Sequence, residues 1–217
     1  FVGVAQLPGD SSDLSGLKGK TSAGIPLDRL GGVGSAIAYT GRGDEYVLMS
    51  DGVGDFPGRY HRMDIRVTPG KTPAVTLKLT ATSLLTNEDG EQFVGTPSAF
   101  KHVAAEKNLR FDPEGVRVGP KGEIFASEEF GPLVVEFDAK GKRVRVFPVP
   151  ARYQIAKPGK SLAEEMKATA GRQPNRGLEG LAITPDGGKL VGAMQSPLIQ
   201  DGGLNAKMER VGRNCRL

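Results

Sequence analysis

Residues 111–150 contain four short segments, apolar or alternating in character, that turn residues separate. The segments fall at residues 116–118, 123–126, 133–137 and 143–147, and Gly, Pro and Asp mark the breaks between them. Short segments of this kind, joined by tight turns, predict four antiparallel strands that follow one another in an up-and-down sheet. A sheet of four such strands is typical of one blade of a β-propeller.

The same pattern recurs on both sides of this segment. Residues 178–193 repeat Glu-Gly, an apolar strand, a turn with Gly and a second apolar strand, and residues 34–51 hold a weaker copy. Residues 60–67 and 75–82 alternate and predict two more strands, and residues 14–17 are a candidate for another. Because one small sheet cannot bury both of its faces alone, repetition at intervals of roughly 40 to 80 residues indicates a repeat array. The expected fold is all-β, a β-propeller of four-stranded antiparallel blades.

The chain is expected to form a single propeller domain over residues 1–217 that is incomplete as a ring. A propeller has about four to eight blades, and a chain of this length supplies about three to four. Leu217 ends the sequence as if within a strand, and Phe1 in place of Met indicates a processed or trimmed start. The remaining blades are expected to come from a missing segment or from a second chain.

A short helical insertion is predicted near residues 161–170. Ser161 and Glu164 have the spacing of a capping box, and Gly171 can end the helix. An insertion of this kind between strands can cover the mouth of a channel.

Composition and charge limit the classes of function. The net charge is +4, and no Lys and Arg cluster is interleaved with aromatic residues, so a nucleic-acid partner is not expected and a small anionic substrate is compatible. No apolar run approaches the ~20 residues that cross a membrane. Cys215 alone cannot form an internal disulfide, and His61 and His102 lack the spacing of a zinc site. His61 is expected on a strand face, with a proton carrier as the alternative. A serine-esterase elbow, Gly-x-Ser-x-Gly, is absent from the sequence.

Acidic residues lie at equivalent strand ends in the repeats, so successive blades would direct them toward a common axis. The set comprises Asp51, Asp112, Glu114, Glu128, Glu129 and Glu179. Carboxylates that converge repel one another, and burial raises their pKa values unless a cation neutralises them. A divalent cation held in this way polarises a phosphoryl or carbonyl oxygen and activates its own water without Ser or Cys. We therefore predict Glu114 and Glu179 as catalytic residues, and as metal ligands together with Glu129 and Asp51.

Structural alternatives stand beside these assignments. A Glu before Gly can accept backbone N–H bonds and lock the junction between two blades, and Asp51 can belong to an Asp-Gly turn. Arg176 and Asn175 are predicted to bind the substrate, because the guanidinium fork of Arg suits phosphate oxygens.

Several of these motifs resemble the phytase-like family, also described as "esterase-like activity of phytase". The resemblance rests on residues 112–115, 127–129, 175–187 and 195–198, of which Asn-Arg-Gly-Leu-Glu-Gly-Leu is the most specific part. It implies secreted bacterial proteins, calcium in a central channel, and phosphoester or ester substrates. The protein is then expected to be secreted or periplasmic.

The function expected from the resemblance is calcium-assisted hydrolysis of phosphoesters or related esters. Two other functions are compatible with the same residues. One is a non-catalytic secreted or periplasmic binding propeller with a structural ion, and the other is a lactonase-type ester hydrolase, which has no need of the Arg side chains. Fold alone does not choose among them, because propellers support many functions.

Overall fold

Antiparallel sheets make up almost all of the regular structure. A computed structural model describes residues 1–30, 32–101, 105–155, 161–202, 205–207, 209 and 211–217. The first sheet comprises β1 (Val33–Tyr39), β2 (Glu45–Ser50), β3 (Arg59–Val67) and β4 (Val75–Leu84). The second comprises β5 (Pro113–Val118), β6 (Ile124–Glu128), β7 (Leu133–Phe137) and β8 (Arg143–Pro148), and the third comprises β9 (Leu178–Ile183) and β10 (Leu190–Met194). In each sheet the strands pair with their neighbours in chain order, which confirms the all-β, four-stranded antiparallel prediction.

Helical structure is sparse. The α-helix α1 (Leu162–Glu165) has four residues, and the Ser161 hydroxyl accepts the N–H of Glu164 at 3.3 Å. Short 3-10 turns occur at Pro97–Ala99, Ala105–Lys107, Ala151–Tyr153 and Ile199–Asp201. None of the described helices is long and apolar enough to cross a bilayer. The strand expected at residues 14–17 is wrong, because Leu14 and Ser15 form a bend, Gly16 and Leu17 have no regular structure, and Gly16 adopts a φ of 71°.

The second sheet is buried on both faces because its strands alternate between two apolar clusters. Ile124 and Ala126 of β6 face a cluster shared with the first sheet, whereas Phe125, between them, belongs to a cluster shared with the third sheet. In β7, Val135 and Val134 divide in the same way. This division follows from the period of two in a strand, which sends successive side chains to opposite faces.

The first strands of the three sheets are neighbours. β5 packs against β1 on one side and against β9 on the other. Gly177, just before β9, is packed so tightly that a Cβ there would lie 1.8 Å from the Glu129 carbonyl oxygen. Gly95 is equally confined, with its Cβ position 1.8 Å from the carbonyl oxygen of Gly52. Close backbone approach at these junctions brings the strand ends of successive sheets together.

The histidine expectations have different outcomes. His61 lies on β3 and is fully buried, and its ring nitrogens are within hydrogen-bonding distance of the Ser50 and Thr82 hydroxyls, at 3.1 and 2.9 Å. Burial lowers its pKa to about 4, so the ring is neutral at physiological pH. The strand-face interpretation of His61 is confirmed. His102 lies outside the described residues.

Candidate metal centre

One backbone hydrogen bond repeats in all three sheets and defines which residues are equivalent. In each sheet the residue after the second strand donates its N–H to the carbonyl of the residue just before the first strand. The three bonds are Asp51 to Gly32 at 2.8 Å, Glu129 to Asp112 at 3.0 Å, and Gln195 to Gly177 at 2.9 Å. Asp51 and Glu129 therefore occupy the same position in successive sheets, as the repeats predicted.

Glu114 and Glu179 both lie at β-bulges. In the second sheet Pro113 pairs with Glu128 and Gly115 with Ser127, so Glu114 has no partner across the ladder. In the third sheet Leu178 pairs with Met194 and Gly180 with Ala193, which leaves Glu179 in the same situation. A bulge inserts one extra residue and redirects its side chain away from the regular pleat. This explains how two strands aim a Glu toward the junction between sheets.

Five carboxylates form two adjoining trios. One trio consists of Asp51, Asp112 and Glu114, and the other of Glu114, Glu129 and Glu179. In each trio, one oxygen atom from every residue lies within 4.8 Å of the others. Glu114 is common to both, so the carboxylates form a row that runs from the first sheet to the third. All four predicted metal ligands belong to this row.

Buried oxygen atoms without partners mark the second trio. Glu129 is 1% exposed, and its Oε2 atom has no hydrogen-bond partner among the described residues. The Oε2 atom of Glu179 is also buried and unpartnered there. A buried carboxylate oxygen left unsatisfied is costly, and a hydrogen bond, a proton or a cation normally satisfies it. The second trio is therefore suited to bind a cation.

Burial and mutual repulsion raise the pKa values of the row. Burial, followed by the proximity of the Asp51 carboxylate, raises the pKa of Asp112 to about 9. Burial followed by the charges of Glu179 and Glu129 raises the pKa of Glu114 to about 8. Burial and the charge of Glu179 raise the pKa of Glu129 to about 7. Burial raises the pKa of Glu179, and the charge of Arg176 offsets part of this rise. A cation bound here would relieve this repulsion.

Without a cation, we expect the free energy of unfolding to fall as pH rises. The folded pKa values of Glu114 and Asp112 lie above the values of 4.5 and 3.8 that free side chains show, so the folded state retains protons that the unfolded chain releases. Their ionisation therefore removes stability as pH rises from about 4 to about 9. His61, with its lowered pKa, acts in the opposite direction below about pH 6.5. Urea denaturation with EDTA should accordingly give a lower stability at pH 8.5 than at pH 6.5, and equal stabilities would contradict the prediction.

Glu128 binds backbone amides, a structural role that was expected as the alternative for a Glu before Gly, although Glu128 itself precedes Glu129. Its carboxylate accepts the backbone N–H groups of Phe130 at 2.8 Å, Asp112 at 3.3 Å and Gly131. Although burial raises its pKa to about 7, these three amides satisfy the side chain. Glu128 thus holds the loop after β6 against the strand start at Asp112 and is not part of either trio.

Of the two predicted substrate residues, Arg176 lies nearer to the trios. Its charge acts on both Glu179 and Glu129, and its Nε atom is buried without a partner among the described residues. Asn175 is exposed and has a positive φ of 51°. It lies at the turn that the Arg176 N–H closes by donating to Gln173 at 3.1 Å, so the turn accounts for its position.

A buried ion-pair network that sequence reasoning missed lies behind the row. Glu165 of α1 binds Arg110 at 2.7 Å and Arg172 at 3.1 Å, and all three side chains are almost fully buried. Arg110 also stacks on the ring of Phe130, 3.2 Å from its centroid, and Arg172 Nε donates to the Phe130 carbonyl at 2.8 Å. The charge of Arg172 lowers the pKa values of Glu128 and Glu129. No local pattern links Arg110 to the network, because it lies 55 residues from Glu165 in the chain.

A model of the phytase-like family, described as "esterase-like activity of phytase", matches residues 28–217. The chain belongs to the phytase-like family. Both carboxylate trios of this phytase-like protein lie within the matched region. It is also 25% identical, over 98% of its length, to an "Uncharacterized secreted protein" of Arthroderma benhamiae. It spans about half, 51%, of that relative's length.

Proposed function

We propose that this phytase-like protein is a metal-assisted hydrolase of phosphoesters or related esters, and that its carboxylate row binds calcium. The observation that carries the proposal is the buried Oε2 atom of Glu129, which has no hydrogen-bond partner among the described residues and lies in the same trio as Glu114 and Glu179. A family description that names esterase-like activity supports the class of reaction.

The donor set fits a hard cation. Every ligand atom in the two trios is a carboxylate oxygen, and calcium binds six to eight oxygen atoms in flexible geometries. Thiol or imidazole ligands, which zinc prefers, do not occur in either trio. In this proposal Glu114, Glu129 and Glu179 hold one ion, and Asp51, Asp112 and Glu114 provide oxygen atoms for a second.

Beyond binding the ion, three residues have roles in the proposed reaction. A bound calcium ion would supply Lewis-acid polarisation of the substrate oxygen and would lower the pKa of water. Glu179 lies at the third-sheet end of the row, and its Oε2 atom, which has no hydrogen-bond partner among the described residues, would accept a proton from the attacking water. Arg176 supplies a guanidinium beside that carboxylate that can bind an anionic oxygen of the substrate. Glu114, with its raised pKa, joins the two trios and orients the water.

Replacing Glu179 by Gln tests the proposal, because it preserves size and hydrogen bonding while removing one charge. Calcium should stabilise the variant less than the wild type in thermal denaturation, and hydrolysis of 4-nitrophenyl phosphate should fall by about two orders of magnitude. Glu136→Gln is a matched control, since Glu136 pairs with the exposed Arg145 on the second sheet and such pairs contribute little. If Glu179→Gln changes neither property, the metal proposal fails.

A split result would identify the alternatives. Reduced calcium stabilisation with unchanged hydrolysis would favour a binding protein with a structural ion. Lactone hydrolysis that persists in Arg176→Gln, with phosphoester hydrolysis lost, would favour lactonase-type chemistry, because a neutral lactone does not need the guanidinium.

We also propose that the sheets are blades of a β-propeller in a secreted or periplasmic protein. The order of the sheets supports this arrangement, because β5 lies between β1 and β9 as neighbouring innermost strands of successive blades would. Two of the described sheets have four strands each, and the third has two strands. These three sheets are fewer than the four or more blades that a ring needs. Further blades would come from sequence outside residues 1–217 or from a second chain. The name of the A. benhamiae relative supports secretion.

A further inference from the structure

A pocket adjoins the first carboxylate trio. It has a volume of about 280 Å³, and Asp51, a member of that trio, forms part of its wall. Ala23, Ile25, Val53 and Phe56 contribute apolar surface to the wall. The pocket therefore lies beside the carboxylate row and differs from it in chemistry.

The walls of the pocket are fixed by specific contacts. The Ser22 N–H donates to the Asp55 carboxylate at 2.7 Å, which ties the loop of residues 21–25 to the loop of residues 51–56. Within the first loop, the Ile25 N–H donates to the Thr21 hydroxyl at 3.1 Å. A pocket whose walls are held before binding loses little conformational entropy when a ligand enters.

The aromatic wall is fixed as well. The guanidinium of Arg59 stacks on the ring of Phe56, 4.3 Å from its centroid. Arg59 is itself fully buried and pairs with Asp13 and with the Leu27 carbonyl, the latter at 2.8 Å. The ring is therefore held in place from the side away from solvent.

We propose that this pocket binds the apolar group of the ester substrate while the reacting oxygen atoms lie over the carboxylate row. The inference rests on the proposed hydrolase function and narrows it to small esters that carry one apolar group and at most one anionic group. The volume of about 280 Å³ equals about nine water molecules of the liquid, enough for a phenyl ring or a short alkyl chain. Burial of that group's surface would provide affinity, and Asp51 at the wall would place the ester beside the trio.

Charge excludes a polyanionic substrate from the same pocket. Among its described lining residues Arg29 is the one cation, whereas Asp51 and Asp55 are acidic. Arg29 already uses its Nε atom to donate to the Gly9 carbonyl at 2.7 Å, which leaves the end of the guanidinium for one anionic group. A ligand with many phosphates would need several cationic groups in the pocket. Its phosphates would also lose their hydration against the apolar side chains of Val53 and Phe56.

Binding of two phosphonates that cannot be hydrolysed tests the proposal independently of turnover. With calcium present, phenylphosphonate should bind about tenfold or more tightly than methylphosphonate in isothermal titration calorimetry, because only the former buries a ring. Val53→Trp should fill the pocket and abolish this preference. Val144→Trp is the matched control, since Val144 on β8 is 62% exposed and Val53 is 60% exposed. Ala23→Trp should fill the pocket from the opposite loop, so the proposal can still be tested if the other pocket variant does not fold.

The outcomes of this experiment distinguish failure of the pocket proposal from failure of the hydrolase proposal. Preferential binding of phenylphosphonate that both pocket variants abolish supports the pocket, even if no ester is hydrolysed and the hydrolase proposal fails. Equal binding of the two phosphonates, or a preference that Val53→Trp and Ala23→Trp leave unchanged, overturns the pocket proposal even if hydrolysis is observed. Tighter binding of myo-inositol hexakisphosphate than of phenylphosphonate, lost in the same variants, would also overturn it.

Discussion

If the carboxylate row binds calcium as proposed, Glu114→Gln is expected to remove most of the stabilisation by calcium, more than Glu179→Gln or Asp51→Asn does alone. Glu114 is the one residue that belongs to both trios, so its charge serves either ion. Calcium at a hundred times its dissociation constant stabilises a folded protein by about 2.7 kcal/mol. For a chain of this size that corresponds to a rise in Tm of roughly 5 to 10 °C. Thermal denaturation with calcium and with EDTA should show this rise in the wild type and little of it in Glu114→Gln.

The same variant has an opposite effect when calcium is absent. The charges of Glu179 and Glu129 help to raise the pKa of Glu114, so removing its ionisable carboxyl should relieve repulsion. In EDTA at pH 8, Glu114→Gln should melt at the wild-type temperature or above it. A variant that melts lower in EDTA yet responds fully to calcium would show that Glu114 is a structural residue and not a ligand.

Gly177→Ala is expected to cause a large loss of stability. A Cβ at this position would lie 1.8 Å from the Glu129 carbonyl oxygen and 2.8 Å from the Glu129 Cα. Both obstacles are backbone atoms, so the second and third sheets must separate to admit the methyl group. Overpacking of this severity costs about 3 kcal/mol or more, and Tm should fall by roughly 6 to 12 °C. Calcium stabilisation should also decrease, because the same shift moves Glu129 away from its trio.

The control for this change is Gly9→Ala. Its Cβ would have no atom within 4 Å, so its Tm should stay within about 2 °C of the wild type. If Gly177→Ala is as stable as Gly9→Ala, the sheets do not approach as closely at this junction as the structure indicates.

The strands were predictable where alternation and turn residues agree. Residues 60–67 and 75–82 alternate in the sequence, and both became strands of the first sheet, β3 and β4. The prediction failed at residues 14–17, where Leu14 and Leu17 flank Gly16. A pair of apolar residues without sustained alternation carries no information about pairing, and the turn preference of glycine decided the local structure.

The site was predictable as a set of acidic residues but not as a geometry. Equivalence between repeats identified Glu114 and Glu179 because Glu-Gly occurs before an apolar strand in both. Sequence analysis predicted Glu129 as the ligand, but equivalence between repeats gave no physical reason to prefer it to the adjacent Glu128, which has a different role. Glu128 accepts backbone amides, whereas Glu129 belongs to a trio. That distinction depends on a strand end and on contacts between sheets, neither of which a local pattern records.

Glu114 and Glu179 are the extra residues of two bulges, so either one could be removed without changing the strand pairing of its sheet. Leu178 pairs with Met194 and Gly180 with Ala193, so the partners of the flanking residues are already consecutive and Glu179 is the residue left over. Deleting it would leave a regular ladder with every other pair unchanged, and the same holds for Glu114 between Pro113 and Gly115. A single-codon insertion or deletion could therefore add or remove a ligand while the fold persists. Relatives that are one residue shorter at either position are expected to keep the sheet and to lack the proposed ion.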